Sequence, residues 1–311
     1  MPNCRKFPAR PIQPTLLKRR AFFAYSLLFL GSCALTQPST PGPTVSQGNQ
    51  PERLRFAVTD LSGLEALEQD FGAFRQALEA VLDISIEFFP VDDYLAAAPA
   101  LLANELDFVM AGPSEYLLLR ARANAVPIVG LTRPHYHTVV MARINSGIDS
   151  LSQLKGKKIA MRMEGSTAGH IVPMKLLFDA GVKPDDYDVL MLDRKGCEAL
   201  RTGEVDAWTD SHDRYVEYVK DPGLEGSEIQ VIATSNNLPP DVFVASPLLG
   251  EGFIEKLRSQ ILDNQASLIS ALLTSEANQK YKESQMVVAQ DDDYQSLRDS
   301  YYAIGQGSAI E

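Results

Sequence analysis

The chain is poor in cysteine, histidine and positive charge, and it has no long apolar run. Three cysteines among 311 residues, Cys4, Cys33 and Cys197, do not make a disulfide-rich scaffold. The four histidines offer no metal set: His135 and His137 alternate on an extended segment, and His212 with Asp213 lacks ligand spacing elsewhere. With 29 basic against 40 acidic residues, the net charge of −11 argues against nucleic acid and against anionic lipid bound through a basic patch. The most apolar stretch, Ala21 to Leu30, is too short for an ordinary transmembrane helix. No internal repeat stands out.

What the N-terminus does contain is an address. Arg5, Lys6, Arg10, Lys18, Arg19 and Arg20 precede the apolar stretch, which runs into Leu30-Gly31-Ser32-Cys33. A basic region, a short apolar region and small residues before a cleavage point describe an export signal. The tetrad resembles a bacterial lipobox, which implies cleavage before Cys33 and lipidation of Cys33. Residues 1–32 are then a lipoprotein signal peptide. Residues 33–52, rich in Pro, Ser, Thr, Gly and Gln, read as a flexible tether. Cleavage leaves 23 basic against 40 acidic residues, a net charge near −17. Any bound anion must therefore be held by local donors. Cys197 is left without a disulfide partner in the exported body.

The remaining 260 or so residues suffice for two modest α/β lobes. Strand-like runs at Arg53 to Val58, Ile84 to Phe89, Asp107 to Ala111 and Pro127 to Leu131 alternate with helical segments. Leu64, Leu67, Phe71, Phe74, Leu78 and Val81 recur at steps of three and four, marking an amphipathic helix, and Ser62 with Glu65 suggests a capping box at its start. A further helix is expected over Asp92 to Ala103, and the alternation predicts a largely parallel sheet covered on both faces. Extended crossings near Thr138 to Arg143 and Leu238 to Ala245 suggest that a central lobe is inserted into the first. That division assigns residues 53–140 to the first lobe, 141–238 to the inserted lobe, and 239–311 to the return and C-terminal helices. Two linking segments make a hinge that closes over a ligand beyond the strand ends.

Three strand ends carry polar residues. The first reads Ala111-Gly112-Pro113-Ser114-Glu115-Tyr116, the third Val205-Asp206-Ala207-Trp208-Thr209-Asp210-Ser211. Between them, Gly165-Ser166-Thr167-Ala168-Gly169-His170 follows a strand and opens an apolar-periodic helix. A helix start presents N–H groups with no intrahelical acceptor and a partial positive charge, so this motif reads as an anion receptor or, alternatively, as a helix capped by Ser166.

In this order, and with Tyr94, Leu151-Ser152-Gln153-Leu154-Lys155-Gly156-Lys157-Lys158-Ile159-Ala160 and Pro173, these motifs resemble the substrate-binding proteins of phosphonate, phosphite and phosphate ABC importers. The resemblance covers most of the chain from about Leu54 onward. It implies a two-lobed periplasmic-binding-protein fold of type II with two hinge crossings and a cleft between lobes. It also implies no catalysis and delivery of a small phosphorus oxyanion to an ABC permease; no cofactor is expected, and the exported, membrane-anchored position follows from the lipobox. By position, Tyr94 and Tyr116 would contact the oxyanion from the first lobe, and Ser166, Thr167 and the Ala168 backbone from the second. Asp210 matches a carboxylate near the ligand. An ionised Asp only accepts hydrogen bonds, so it selects a P–OH or a ligand ammonium group over a bare dianion. Two positions depart from the family: Ala168 replaces a second serine, and Cys197 replaces a histidine, with Arg162, Arg194, Lys195 and His170 as candidate compensating charges. The competing readings are a binding protein for sulfonate, selenate or a thiamine-precursor compound, a sensor lipoprotein, and a hydrolase using Ser166, His170 and Asp210. The last is disfavoured because Ser166 and His170 lie one turn apart on the same helix.

Overall fold

The computed structural model describes residues 51–91, 95–220 and 228–311, apart from the side chains of residues 219 and 220. Tyr94 and Cys33, with the whole signal and most of the tether, lie outside the described residues. Among the described residues no helix is long and apolar enough to cross a membrane.

The chain opens β1 (Arg53–Val58), α1 (Leu64–Leu82), β2 (Ser85–Phe88), α2 (Ala97–Leu102), β3 (Phe108–Ala111), α3 (Pro113–Ala123) and β4 (Val126–Leu131). It continues through β5 (Thr138–Arg143), β6 (Lys158–Met161), α4 (Val172–Asp179), β7 (Asp188–Met191), α5 (Gly196–Thr202), β8 (Ala207–Ser211), α6 (His212–Lys220) and β9 (Ile229–Thr234). It closes with β10 (Asp241–Ala245), α7 (Glu251–Asp263), α8 (Gln265–Leu272), β11 (Met286–Val288) and α9 (Gln295–Ala303).

Two sheets result, six strands in the order β11-β4-β10-β3-β1-β2 and five in the order β7-β6-β8-β5-β9. Each is mixed rather than largely parallel. In the first, β1 runs parallel to β2 and β3, but β10 enters antiparallel between β3 and β4. In the second, β6 lies parallel to β7 and β8, while β5 is antiparallel to β8 and β9. The strand that returns from the inserted lobe thus sits in the middle of the first sheet. All of β5 belongs to the second sheet and all of β10 to the first, so the chain changes sheets at residues 132–137 and 235–240. The apolar runs expected to be the crossings are strands, because a buried ladder satisfies their backbone groups where an exposed linker would not.

The helices follow the apolar periodicity. Leu67, Phe71, Phe74 and Leu78 of α1 are buried on the first sheet against Phe56, Phe108 and Phe243. Ile254, Leu257 and Ile261 of α7, with Leu268 and Leu272 of α8, complete that layer. The helix α1 has Gly63 as its N-cap, one residue past Ser62, so Ser62 is not in the N-cap position that the expected Ser62–Glu65 capping box requires. The helix expected from Asp92 is a short one, α2, in its described part. A second apolar cluster joins Ala57, Val109 and Tyr116 of the first sheet's layers to Met161, Ile171 and Leu177 of the second through Tyr294, Leu297 and Tyr301 around α9. A third packs Cys197 and Leu200 of α5 against Trp208.

Candidate ligand-binding cleft

The carboxyl ends of β1, β3, β6 and β8 converge on a cleft of about 730 Å³. Strand ends from both sheets line it: Thr59 and Asp60, Ala111 and Gly112, Arg162, and Asp210 with Ser211. The first crossing adds Arg133, His135 and Tyr136, and the segment before β11 adds Lys280 and Tyr281. This is where ligands of open α/β sheets bind.

The turn between β6 and α4 is the most elaborate part of the wall. Gly165 takes a left-handed φ of 84°, and Thr167–Ile171 then winds one π-helical turn before α4 starts at Val172, with Pro173 in its first turn. Such wide turns arise where carbonyls are drawn to outside donors. Here Thr138 Oγ1 donates to the Ala168 carbonyl at 3.0 Å, and Thr209 Oγ1 and the Arg162 N–H donate to the Gly169 carbonyl at 3.0 and 3.1 Å. Gly169 is required: a Cβ there would lie 2.5 Å from the Arg162 Cβ. Ser166 precedes the turn in extended conformation without making a side-chain cap, although it is only 5 % exposed and lines the cleft. The structure therefore speaks against Ser166 as a helix cap. Its hydroxyl has no hydrogen-bond partner among the described residues, and the first N–H groups of the turn have no acceptor within the helix.

Thr167 lines the same wall but is differently engaged. Its Oγ1 accepts from the Ser114 N–H at 3.0 Å and lies 2.6 Å from Ser114 Oγ. Because Ser114 Oγ donates to the Gly165 carbonyl at 2.6 Å, the Thr167 proton goes to Ser114. Thr167 stitches the turn to the start of α3 across the two sheets, instead of aiming its proton at a ligand.

Three carboxyl groups face the cleft in different states. Asp210, at the end of β8, is 1 % exposed; its Oδ1 accepts from the Ser211 N–H at 2.7 Å. Burial pushes its pKa up, against the pull of Arg162 and Arg214. Glu115, in the first turn of α3, accepts from Thr59 Oγ1 at 2.9 Å and from the Gly112 N–H. Burial, with Asp60 nearby, pushes it up to about 7. Asp60 goes the other way: burial opposes its charge, but Arg162 at 2.6 Å, Lys280 at 3.4 Å and Arg214 at 4.0 Å outweigh burial and keep it ionised far below the usual carboxylate range. Arg133 reaches Asp213 and, at 3.5 Å, Asp241, and lies 3.6 Å over the Tyr136 ring, while its buried Nε has no partner among the described residues.

The cleft thus gathers Ser166, Thr167, Ala168 and Asp210 as expected from sequence, together with Arg162 and Arg194. Tyr116, Cys197 and His170 are elsewhere. Tyr116 is fully buried, donates to Asp291 Oδ1 at 2.5 Å and sits 4.6 Å from the Tyr294 ring. Helical geometry turns it about 100° from Glu115, so only Glu115 of that pair reaches the cleft. Cys197 is buried in the cluster with Trp208, where desolvation pushes its thiol up to about 11. His170 accepts from the Gly165 N–H at Nδ1, and burial pushes it down to about 4. It therefore holds the turn as a neutral ring and offers no charge to the cleft. Sequence reasoning passed over Asp60, Glu115, Arg133, Tyr136, Arg214 and Lys280. The strand-end rule applied to Thr59-Asp60 would have found the first, and Glu115 stood inside a motif already singled out. No local pattern marks Lys280.

Comparison with known proteins gives a consistent picture. The family model described as the periplasmic substrate-binding protein of a phosphonate ABC transporter matches residues 63–294. The phosphate-import protein PhnD of Mycolicibacterium smegmatis is 23 % identical over 254 residues, 76 % of this chain and 79 % of that one. A probable ABC transporter phosphite-binding protein, PhnD1 of Prochlorococcus marinus, is 24 % identical over 266 residues, 76 % and 84 % of the two chains. The solved structure of Prochlorococcus PhnD1 with methylphosphonate superposes with a TM-score of 0.67 at 20 % identity, covering 83 % of this chain and all of that one.

Proposed function

This chain belongs to the periplasmic substrate-binding proteins of phosphonate ABC transporters, and from that membership we propose that its cleft captures a small phosphorus oxyanion, whether phosphonate, phosphite or phosphate, and presents it to an ABC permease. The observation that carries the reading is the turn at Ser166–Ala168: an uncapped, unpartnered hydroxyl and free N–H groups, beside Arg162, on a cleft wall. We place the protein on the outer side of the membrane, tethered through lipid on Cys33, on the strength of the basic leader and the Leu30-Gly31-Ser32-Cys33 tetrad. Asp210 supports phosphorus over sulfur, since a sulfonate has no proton to give to its acceptor oxygens. A role in capture rather than hydrolysis is supported by His170, whose Nδ1 is committed to the Gly165 N–H.

Calorimetric titration with phosphite, methylphosphonate, 2-aminoethylphosphonate and phosphate, with methanesulfonate as control, tests the assignment. Saturable binding of at least one phosphorus oxyanion is expected. Silence from all four with heat from methanesulfonate would refute it. Loss of membrane attachment in Cys33→Ser, followed by fractionation, tests the anchor.

A further inference from the structure

On the reading that the cleft holds a phosphorus oxyanion, we propose that Glu115 is a specificity-determining residue that meets this ligand as a neutral carboxylic acid, donating a hydrogen bond from Oε1, so that capture takes up one proton from solvent. The geometry is that of a side chain built to be half satisfied. Glu115 is 4 % exposed, and both of its hydrogen bonds, from Thr59 Oγ1 and from the Gly112 N–H, fall on Oε2. Oε1 has no partner among the described residues, and the residue lines the cleft. Its neighbour Ser114 is joined to Thr167 at 2.6 Å, which fixes this first turn of α3 against the turn carrying the unpartnered Ser166 hydroxyl. The two lobes therefore present an open hydroxyl and an open carboxyl oxygen to the same region.

Charge balance decides the protonation state. Four buried or half-buried cations face the cleft, Arg133, Arg162, Arg214 and Lys280, and they are already matched by Asp60, Asp193, Asp213 and Asp241. Arg194 is exposed and screened. An entering anion thus finds no surplus of buried positive charge. Asp210 is held toward ionisation by Arg162 and Arg214. Glu115 is pulled both ways: Asp60 beyond β1 and Asp241 at the start of β10 disfavour its charge, while the Thr59 donor and the Gly112 N–H at the start of α3 favour it, and the neutral phenols of Tyr136 and Tyr301 also feel it from the crossing and from α9. Burial and the two carboxylates already bring it to about 7, and a phosphorus oxyanion beside Oε1 adds to the same push. A proton on Oε1 turns that repulsion into a charge-assisted hydrogen bond. A ligand that brought an ammonium group to Glu115 would require the opposite state.

The test is calorimetry of the full chain with methylphosphonate, in pairs of buffers with different ionisation enthalpies, over about pH 6 to 9. The ligand's own protonation is common to wild type and Glu115→Gln and cancels in their difference. Wild type should take up about one more proton per ligand than Glu115→Gln near pH 8, and its affinity relative to that variant should fall about tenfold per pH unit above the Glu115 titration. Parallel pH profiles, or a wild-type affinity that rises against the variant with pH, would overturn the proposal while leaving oxyanion capture intact. Absence of any phosphorus-oxyanion binding would remove both. Should Glu115→Gln not fold, Thr59→Val serves instead. It deletes a donor that favours the carboxylate, so the midpoint of the affinity loss should move to higher pH; an unmoved midpoint overturns the assignment.

Discussion

Asp60, just beyond β1 of the first sheet, and Arg162, just beyond β6 of the second, form a 2.6 Å ion pair across the cleft. The carboxylate sits where three cations converge, so it acts as a tethered anion that holds the two strand ends together. Both side chains are less than a third exposed, which makes the pair worth more than a surface bridge.

Removing that carboxylate leaves Arg162, Arg214 and Lys280 facing one another. Asp60→Asn should lower the stability of the ligand-free protein by roughly 2–4 kcal/mol. A saturating oxyanion, replacing the missing charge, should recover more stability in the variant than it adds to wild type. Thermal melts with and without methylphosphonate measure both; equal ligand shifts in the two proteins would show that the ion pair and the ligand do not share these cations.

The two hydroxyls of the turn should separate by assay. Ser166→Ala removes an unpartnered hydroxyl on the cleft, and a hydrogen bond to a charged ligand is worth about 1.5–3 kcal/mol, so affinity should fall tenfold or more. Thr167→Val breaks the seam to Ser114, so its main cost, about 1–2 kcal/mol, should appear as lost stability in the ligand-free melt. If the melt is untouched and affinity collapses in Thr167→Val, the hydroxyl points at the ligand after all.

Tyr116 offers a contrast. Its hydroxyl serves Asp291, which Arg298 also holds at 2.5 Å. Tyr116→Phe should therefore cost about 1 kcal/mol in denaturant unfolding and leave oxyanion affinity within error. A tenfold affinity loss would place the tyrosine back at the ligand.

Stability against pH should be flatter than the buried groups suggest singly. His170 is depressed to about 4, so the unfolded chain takes its proton first and stability falls as pH drops from about 6.5 toward 4. Glu115 is raised to about 7, so its contribution is fully present below its unfolded value near 4.5 and is lost as pH rises toward 7. Each is worth roughly 3 kcal/mol over nearly the same window and with opposite sign. Denaturant unfolding of Glu115→Gln should unmask the histidine as a steady rise in stability from about pH 4 to 6.5; a flat profile would count against this cancellation.

The elements most legible in the sequence were those whose signal is local. The stripe of Leu67, Phe71, Phe74 and Leu78 specified α1 and its buried face, and the turn at Gly165–His170 was visible because glycine, small hydroxyl residues and a following apolar period mark a strand-to-helix junction. Where each of those hydroxyls points was not visible, because Thr167 is claimed by Ser114, 53 residues away in sequence. The same holds for Tyr116, drawn to Asp291 across 175 residues. The segment between α8 and α9 was the least readable. Lys280 reaches the cleft only because the chain comes back after β10, and β11 is a three-residue edge strand.

By itself the sequence determined the alternation of strands and helices and the strand ends that carry polar side chains, since periodicity and turn chemistry act within a few residues. Only the tertiary structure decided which of those side chains meet. Charge pairing across the cleft, burial of Glu115 and Asp210, and the seam between Ser114 and Thr167 are properties of two lobes brought together, and desolvation and Coulomb forces between them have no counterpart along the chain.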